Sequence, residues 1–125
     1  MKKLLFSIAF LAITLQGFSQ QADKGKAVYA KTCIACHQAT GAGIPGAFPP
    51  LAKSDYLNKD VTRAIKQIIK GSSGAIVVNG LKFNGAMPAQ TLNDKDIADV
   101  LTYVYSSWGN NKTIVTPAMV KAQRK

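Results

Sequence analysis

The 125-residue sequence predicts one all-α domain, with a small β-hairpin ahead of its last main helix. Three observations carry that expectation. Two apolar stripes of helical period occur, over 61–69 and 97–104. A short stretch, 75–83, combines β-branched residues with an Asn79-Gly80 pair. The length suits one core, because domains of about 100 to 150 residues are the commonest size. Hydrophobic residues make up 47% of the chain and charged residues 18%, a balance that fits a packed core better than disorder or repeated membrane crossing.

The start of the chain reads apart from the rest. Lys2 and Lys3 precede an apolar run from Leu4 to Leu15, and Gln16, Gly17, Phe18 and Ser19 follow. A charged start, an apolar run too short to span a bilayer and small residues at 17 and 19 have the form of a secretory signal peptide cleaved after Ser19 or close to it. The expectation is an exported, periplasmic protein with a signal at 1–19, one domain at 20–125 and no permanent membrane insertion after cleavage.

The elements of that domain follow in order. Residues 23–32 contain few breakers and predict a short helix, with Gly25 and Tyr29 on one face. "GAGIPGAFPP", 41–50, is a loop with fixed bends. Val61, Ala64, Ile65, Ile68 and Ile69 recur at helical spacing with Arg63, Lys66 and Lys70 between them, and Gly71 is placed to end the helix. "AIVVNGLKF", 75–83, suits two strands joined at Asn79-Gly80, since both residues tolerate positive φ. Asn93 is a cap, Asp94 and Asp96 favour a first helical turn, and Ile97, Val100, Leu101 and Val104 form a stripe expected to end near Trp108. After Pro117 the tail predicts one or two more helical turns.

Sixteen Lys and Arg against six Asp and Glu give a formal charge of +10, or +8 once Lys2 and Lys3 are set aside. Such a chain favours acidic partners. The basic stretches carry few aromatic side chains, which argues against nucleic acid. Lys24, Lys26, Lys31, Lys53, Lys59, Lys66, Lys70 and Lys82 precede residue 87, whereas Asp94, Asp96 and Asp99 follow it. These lysines suit either a basic rim that steers acidic redox partners or an ordinary solvated surface.

Both cysteines and the only histidine fall within Cys33–His37, in "KTCIACHQ". A thioredoxin-like dithiol would sit in a βαβ pattern, which the chain does not show. A structural zinc site needs four ligands, and only three Cys and His residues exist. A disulfide across so small a loop would constrain little of the unfolded chain. Covalent attachment of one haem c needs two thiols for the two vinyl groups and a histidine beside the second thiol, and Cys33, Cys36 and His37 supply them.

With this motif near the mature N-terminus, Gly25 and Tyr29 ahead of it, and Val100 and Tyr103 in the last main helix, the chain resembles a class I cytochrome c over nearly its whole mature part. "GIPGAFPPLAKSDYL" and "VNGLKFNGAMP" make it more similar to the haem domains associated with copper nitrite reductases. The resemblance implies that Gly25, Tyr29, Val100 and Tyr103 pack the terminal helices together. It implies His37 and Met87 as axial ligands, Met87 lying in a loop between the hairpin and the last main helix. Met1 would leave with the signal, and Met119 sits in a polar tail. It also implies Pro49 as the carbonyl partner of His37 and Leu51 as a haem-packing residue, within "PPL". Phe48, Leu51, Tyr56, Ile65, Ile68, Ile69 and Phe83 are candidates for the haem wall.

The function so implied is a one-electron carrier, not an enzyme, serving an acidic redox protein or respiratory oxidoreductase as a monomer. Two alternatives stand beside it. One is a dedicated haem subunit of an oxidoreductase such as a nitrite reductase. The other is a peroxidase or ligand-binding haem protein with an open distal site.

Overall fold

The computed structural model describes residue 17 and residues 19–125, so the expected signal segment lies almost wholly outside the described residues. Among the described residues no helix is long and apolar enough to cross a membrane. The order of elements is α1 (19–32), α2 (Ile34–His37), α3 (Asp55–Lys59), α4 (Val61–Lys70), β1 (Ser72–Val78), β2 (Leu81–Met87), α5 (Asp94–Ser106) and α6 (Pro117–Ala122). The mostly helical architecture with one antiparallel hairpin agrees with the expectation from sequence.

The first helix includes residues ahead of Asp23, the expected start. Its early turns are tied down: the Gln21 amide donates to Thr102 Oγ1 at 3.2 Å and to the Val115 carbonyl at 3.0 Å. At Gly25 the helix meets α5 backbone to backbone. A Cβ there would lie 2.0 Å from the Asp99 carbonyl oxygen and 2.7 Å from Tyr103 Cβ. One turn later Tyr29, 2% exposed, stacks at a tilt on Tyr103 and on Trp108, with ring centroids 5.6 and 5.3 Å away.

The core is built on α5. Ile97, Ala98, Val100, Leu101, Val104 and Tyr105 are all buried in it, packed with Ile65 and Ile68 of α4. Asn93 caps α5 by accepting from the Asp96 amide. The helix ends two residues before the expected Trp108. The Ser106 and Ser107 hydroxyls donate to the Tyr103 carbonyl, and the chain then turns left-handed at Trp108 and Gly109. Asn110 is a buried cross-link. Its amide donates to the Leu51 and Val104 carbonyls at 2.9 Å, and its oxygen accepts from Ser54 N and Asn58 Nδ2.

The hairpin turns at Asn79 and Gly80, with φ of 51° and 80°, as a two-residue loop requires. Its register pairs Val78 with Leu81, Ile76 with Phe83, Gly74 with Gly85 and Ser72 with Met87. Gly85 and Met87 therefore belong to the second strand and not to a loop, which corrects the expectation from sequence. "NGAMP" reads as loop because of its small residues, but the ladder continues to Met87 and Pro88 is the first residue that breaks it.

Two predictions follow from this packing. Gly25→Ala forces α1 off the α5 backbone and is expected to cost about 3 kcal/mol in denaturant unfolding, the upper end for overpacking. Tyr105 is buried and donates to the Leu57 carbonyl at 2.9 Å; burial pushes its phenol up to about 12 from 10.0. Because the unfolded tyrosine ionises first, the stability it contributes is whole below pH 10.0 and is lost as pH rises towards 12. Tyr105→Phe is expected to lose about 1 kcal/mol at pH 7 and to show a shallower alkaline decline in melting temperature.

Candidate haem site

α1 runs directly into the cysteine motif. Cys33 N donates to the Tyr29 carbonyl at 2.9 Å, and His37 N donates to the Cys33 carbonyl at 3.0 Å. Cys33 thus stands at the N-cap of α2 and Cys36 and His37 in its single turn, with both thiols unbridged and half-buried. Burial pushes the Cys33 thiol up, partly offset by the Thr32 hydroxyl.

The His37 ring is held from the far side of a loop. Its Nδ1 lies 3.0 Å from the Pro49 carbonyl oxygen. A carbonyl only accepts, so Nδ1 carries the proton and the Nε2 lone pair is left for a metal. Burial lowers the pKa of this imidazole and the Pro49 bond opposes that shift, so the ring is neutral, the state that ligates. Gly43 makes the loop geometry possible. It has φ +65°, its N donates to the His37 carbonyl at 3.0 Å, and a Cβ there would lie 2.3 Å from the Phe48 oxygen and 2.7 Å from the Pro49 oxygen.

Cys33, Cys36, His37, Pro49, Leu51 and Met87 all line one cavity of about 240 Å³. That is several times the roughly 30 Å³ share of one liquid water, so the space suits a sizeable ligand and not a packing gap. No lysine, arginine, aspartate or glutamate lines it among the described residues. Of the proposed wall, Phe48, Leu51, Tyr56, Ile68 and Phe83 reach the cavity. Ile65 and Ile69 do not: α4 turns Ala64, Gln67 and Ile68 towards the space, while Ile65 and Ile69 pack into the core beside it. A stripe of helical period marks the buried side of a helix without saying which part of it faces a ligand.

Other residues of the site were not singled out from sequence. Val100, Leu101 and Val104 of α5 line the cavity as well as the core; their stripe was visible, but not what it would cover. Gly74 and Gly85, paired across the hairpin, also line it. A Cβ on Gly74 would meet nothing within 4 Å, and one on Gly85 only the Ala47 oxygen at 3.9 Å. Two missing side chains therefore leave room on the inner face of the sheet. Only the strand register reveals that they stand together.

These features fit a covalently held haem: two thiols and a neutral, oriented imidazole at one rim, uncharged walls, and a sheet face cleared by paired glycines. Comparison with known proteins agrees. The cytochrome c family model matches residues 22–108. The chain belongs to that family, as a class I monohaem cytochrome c. It is 38% identical to cytochrome c-552 of Thermus thermophilus, in an alignment covering 84% of this chain and 96% of the relative. It is 35% identical to cytochrome c6 of Picosynechococcus, over 90% of this chain and 99% of the relative. It is 30% identical to the cytochrome c subunit of a quinone alcohol dehydrogenase from Gluconobacter oxydans, over 73% of this chain but 20% of that subunit. These matches do not show the narrower likeness to haem domains associated with copper nitrite reductases.

The family binds haem c covalently, and this chain has the two cysteines that such attachment uses. Its role is that of a monohaem electron carrier or of the haem subunit of an oxidoreductase. If the glycine pair makes room for the ring, Gly85→Leu is expected to destabilise the holoprotein by about 2 kcal/mol in denaturant unfolding. Asn84→Leu, on the outer and exposed face of the same strand, is expected to stay within about 0.5 kcal/mol of the parent.

Proposed function

We propose that the chain is an exported one-electron carrier in which His37 and Met87 ligate the iron of one haem c attached to Cys33 and Cys36. The observation that carries the reading is the His37 Nδ1 to Pro49 bond, which fixes the ligating tautomer beside both thiols in a cavity that Met87 also lines. Bound haem supplies reversible one-electron chemistry at its iron.

The chain's own residues set the conditions for that chemistry. Cys33 and Cys36 pin the ring. Pro49 orients the imidazole, so the ligand need not turn when charge changes. A thioether from Met87 favours the ferrous state and raises the potential. The uncharged lining acts in the same direction, because a low-dielectric surround disfavours the more highly charged ferric centre. With Met87 in place both axial positions are filled, which supports transfer of electrons and not turnover of a substrate, and so a protein that is not an enzyme. Leu51 packs against the ring from the loop that carries Pro49.

The signal-like segment at 1–19 supports export to the periplasm, with the domain at 20–125. The formal charge of +8 left once Lys2 and Lys3 are set aside supports an acidic redox partner, either a small protein or a respiratory oxidoreductase, reached by a monomer. The likeness to a dehydrogenase cytochrome subunit favours a second reading, a dedicated haem subunit. Salt separates the two: a diffusing carrier exchanges electrons at rates that fall steeply with ionic strength, whereas a fixed subunit copurifies with one oxidoreductase regardless of salt.

Met87→Ala is expected to keep its haem through acid and solvent extraction, to show a lower reduction potential and to bind cyanide or carbon monoxide that the parent excludes. An unchanged spectrum and potential would remove Met87 from the iron.

A further inference from the structure

The hairpin forms one wall of the cavity. Ile76, Val78, Phe83, Gly85 and Met87 face inward, while Ala75, Val77, Lys82 and Asn84 face solvent. Its base is continuous with α4 and with the segment leading to α5, where Gln90 N donates to the Ile68 carbonyl at 2.8 Å. Its tip is held differently. Asn79 N donates to Asp55 Oδ1 at 2.7 Å, and Asp55 N donates to Asn79 Oδ1 at 3.0 Å. The same Asp55 oxygen accepts from Tyr56 N at 2.6 Å, which sets the carboxylate before the hairpin meets it.

Among the described residues, these two reciprocal bonds are the hydrogen bonds that join 72–87 to the rest of the fold. Val78 and Phe83 add apolar contact, but apolar contact does not fix direction. A two-stranded sheet is marginal by itself in water. Both latch residues are exposed, so water competes for the bonds.

We propose that Asp55 and Asn79 are positioning residues whose paired hydrogen bonds latch the hairpin tip to α3 and keep the sheet closed over the haem cavity. Released at the tip, the hairpin swings about its base, its ladder frays and water reaches the ring. Met87, at the base, stays near the iron. The latch thus acts on solvent exclusion and potential, and only secondarily on ligation. The link to potential rests on the haem reading above; the opening itself does not.

The test follows amide hydrogen exchange in the holoprotein across 72–78 and 81–87, with α5 as the reference for global stability. Asp55→Ala and Asn79→Gly each remove one latch bond, the former together with the local Tyr56 N bond, and glycine keeps the positive φ that the turn needs. Exchange in the hairpin is expected to rise about tenfold in Asp55→Ala, where a hydrogen bond to a charged group is lost, about fivefold in Asn79→Gly, where a neutral one is lost, and further in the double variant, with α5 unchanged. Asp55→Asn retains the acceptor and is expected to restore most of the protection. The reduction potential should fall in the same order as exchange rises. Hairpin exchange equal to the parent in both single variants overturns the latch, and so does acceleration matched in α5, which would mean lost helix capping alone. The parent's ferric spectrum tests the axial reading separately: a spectrum without methionine ligation removes Met87 from the iron, and the exchange data still decide the latch.

Discussion

The rest of the molecule depends on the contact between α1 and α5 at Gly25. With no side chain there, the first helix lies against the Asp99 backbone, and everything after it in α1 inherits that placement. Tyr29 is carried into the aromatic group with Tyr103 and Trp108, and one turn further the cysteine motif begins. The same α5 supplies Val100, Leu101 and Val104 to the cavity. One close approach therefore sets both the thiols and part of the cavity wall. A side chain at 25 would separate the helices and, with them, the two halves of the site.

The loop from Gln38 to Ala52 has almost no regular structure, yet its backbone is closely specified. Tyr29 Oη donates to the Gln38 carbonyl at 2.7 Å, Gly43 N to His37, and Leu51 and Ala52 N to Gly41. Asn110 holds Leu51 from the other side. The Pro49 carbonyl is thus placed by bonds on both flanks, and a carbonyl that orients the His37 ring is only as well fixed as its own support.

How much of this could be read from sequence depended on whether the signal was local. The helix at 61–70, its stop at Gly71, the cap at Asn93 and the turn at Asn79-Gly80 all follow from residue spacing or backbone preference, and the structure has them. Cys33, Cys36 and His37 announce themselves by adjacency. What failed was geometry between distant segments. Gly85 and Pro88 beside Met87 favour a loop, but strand pairing with Ser72 overrides that local preference. Ile65 and Ile69 share a stripe with Ile68, and only the packing of α4 separates the two that pack in the core from the one that lines the cavity. Gly74 and Gly85 stand eleven positions apart in sequence and have meaning only as a cross-strand pair. Asp55 and Asn79 are similar: each looks like ordinary turn or capping chemistry until the fold brings them together.

The two-stranded sheet also bears on association between copies. Each strand has an outer edge without a partner strand among the described residues, and such edges are templates on which another chain could add a strand. Here the template is poor. Each strand is seven residues long, Gly74 at φ +93° breaks the regular pleat of β1, and Lys82 in β2 would bring charge to any added strand. The glycine that leaves space on one face of the sheet thereby also disturbs its edge.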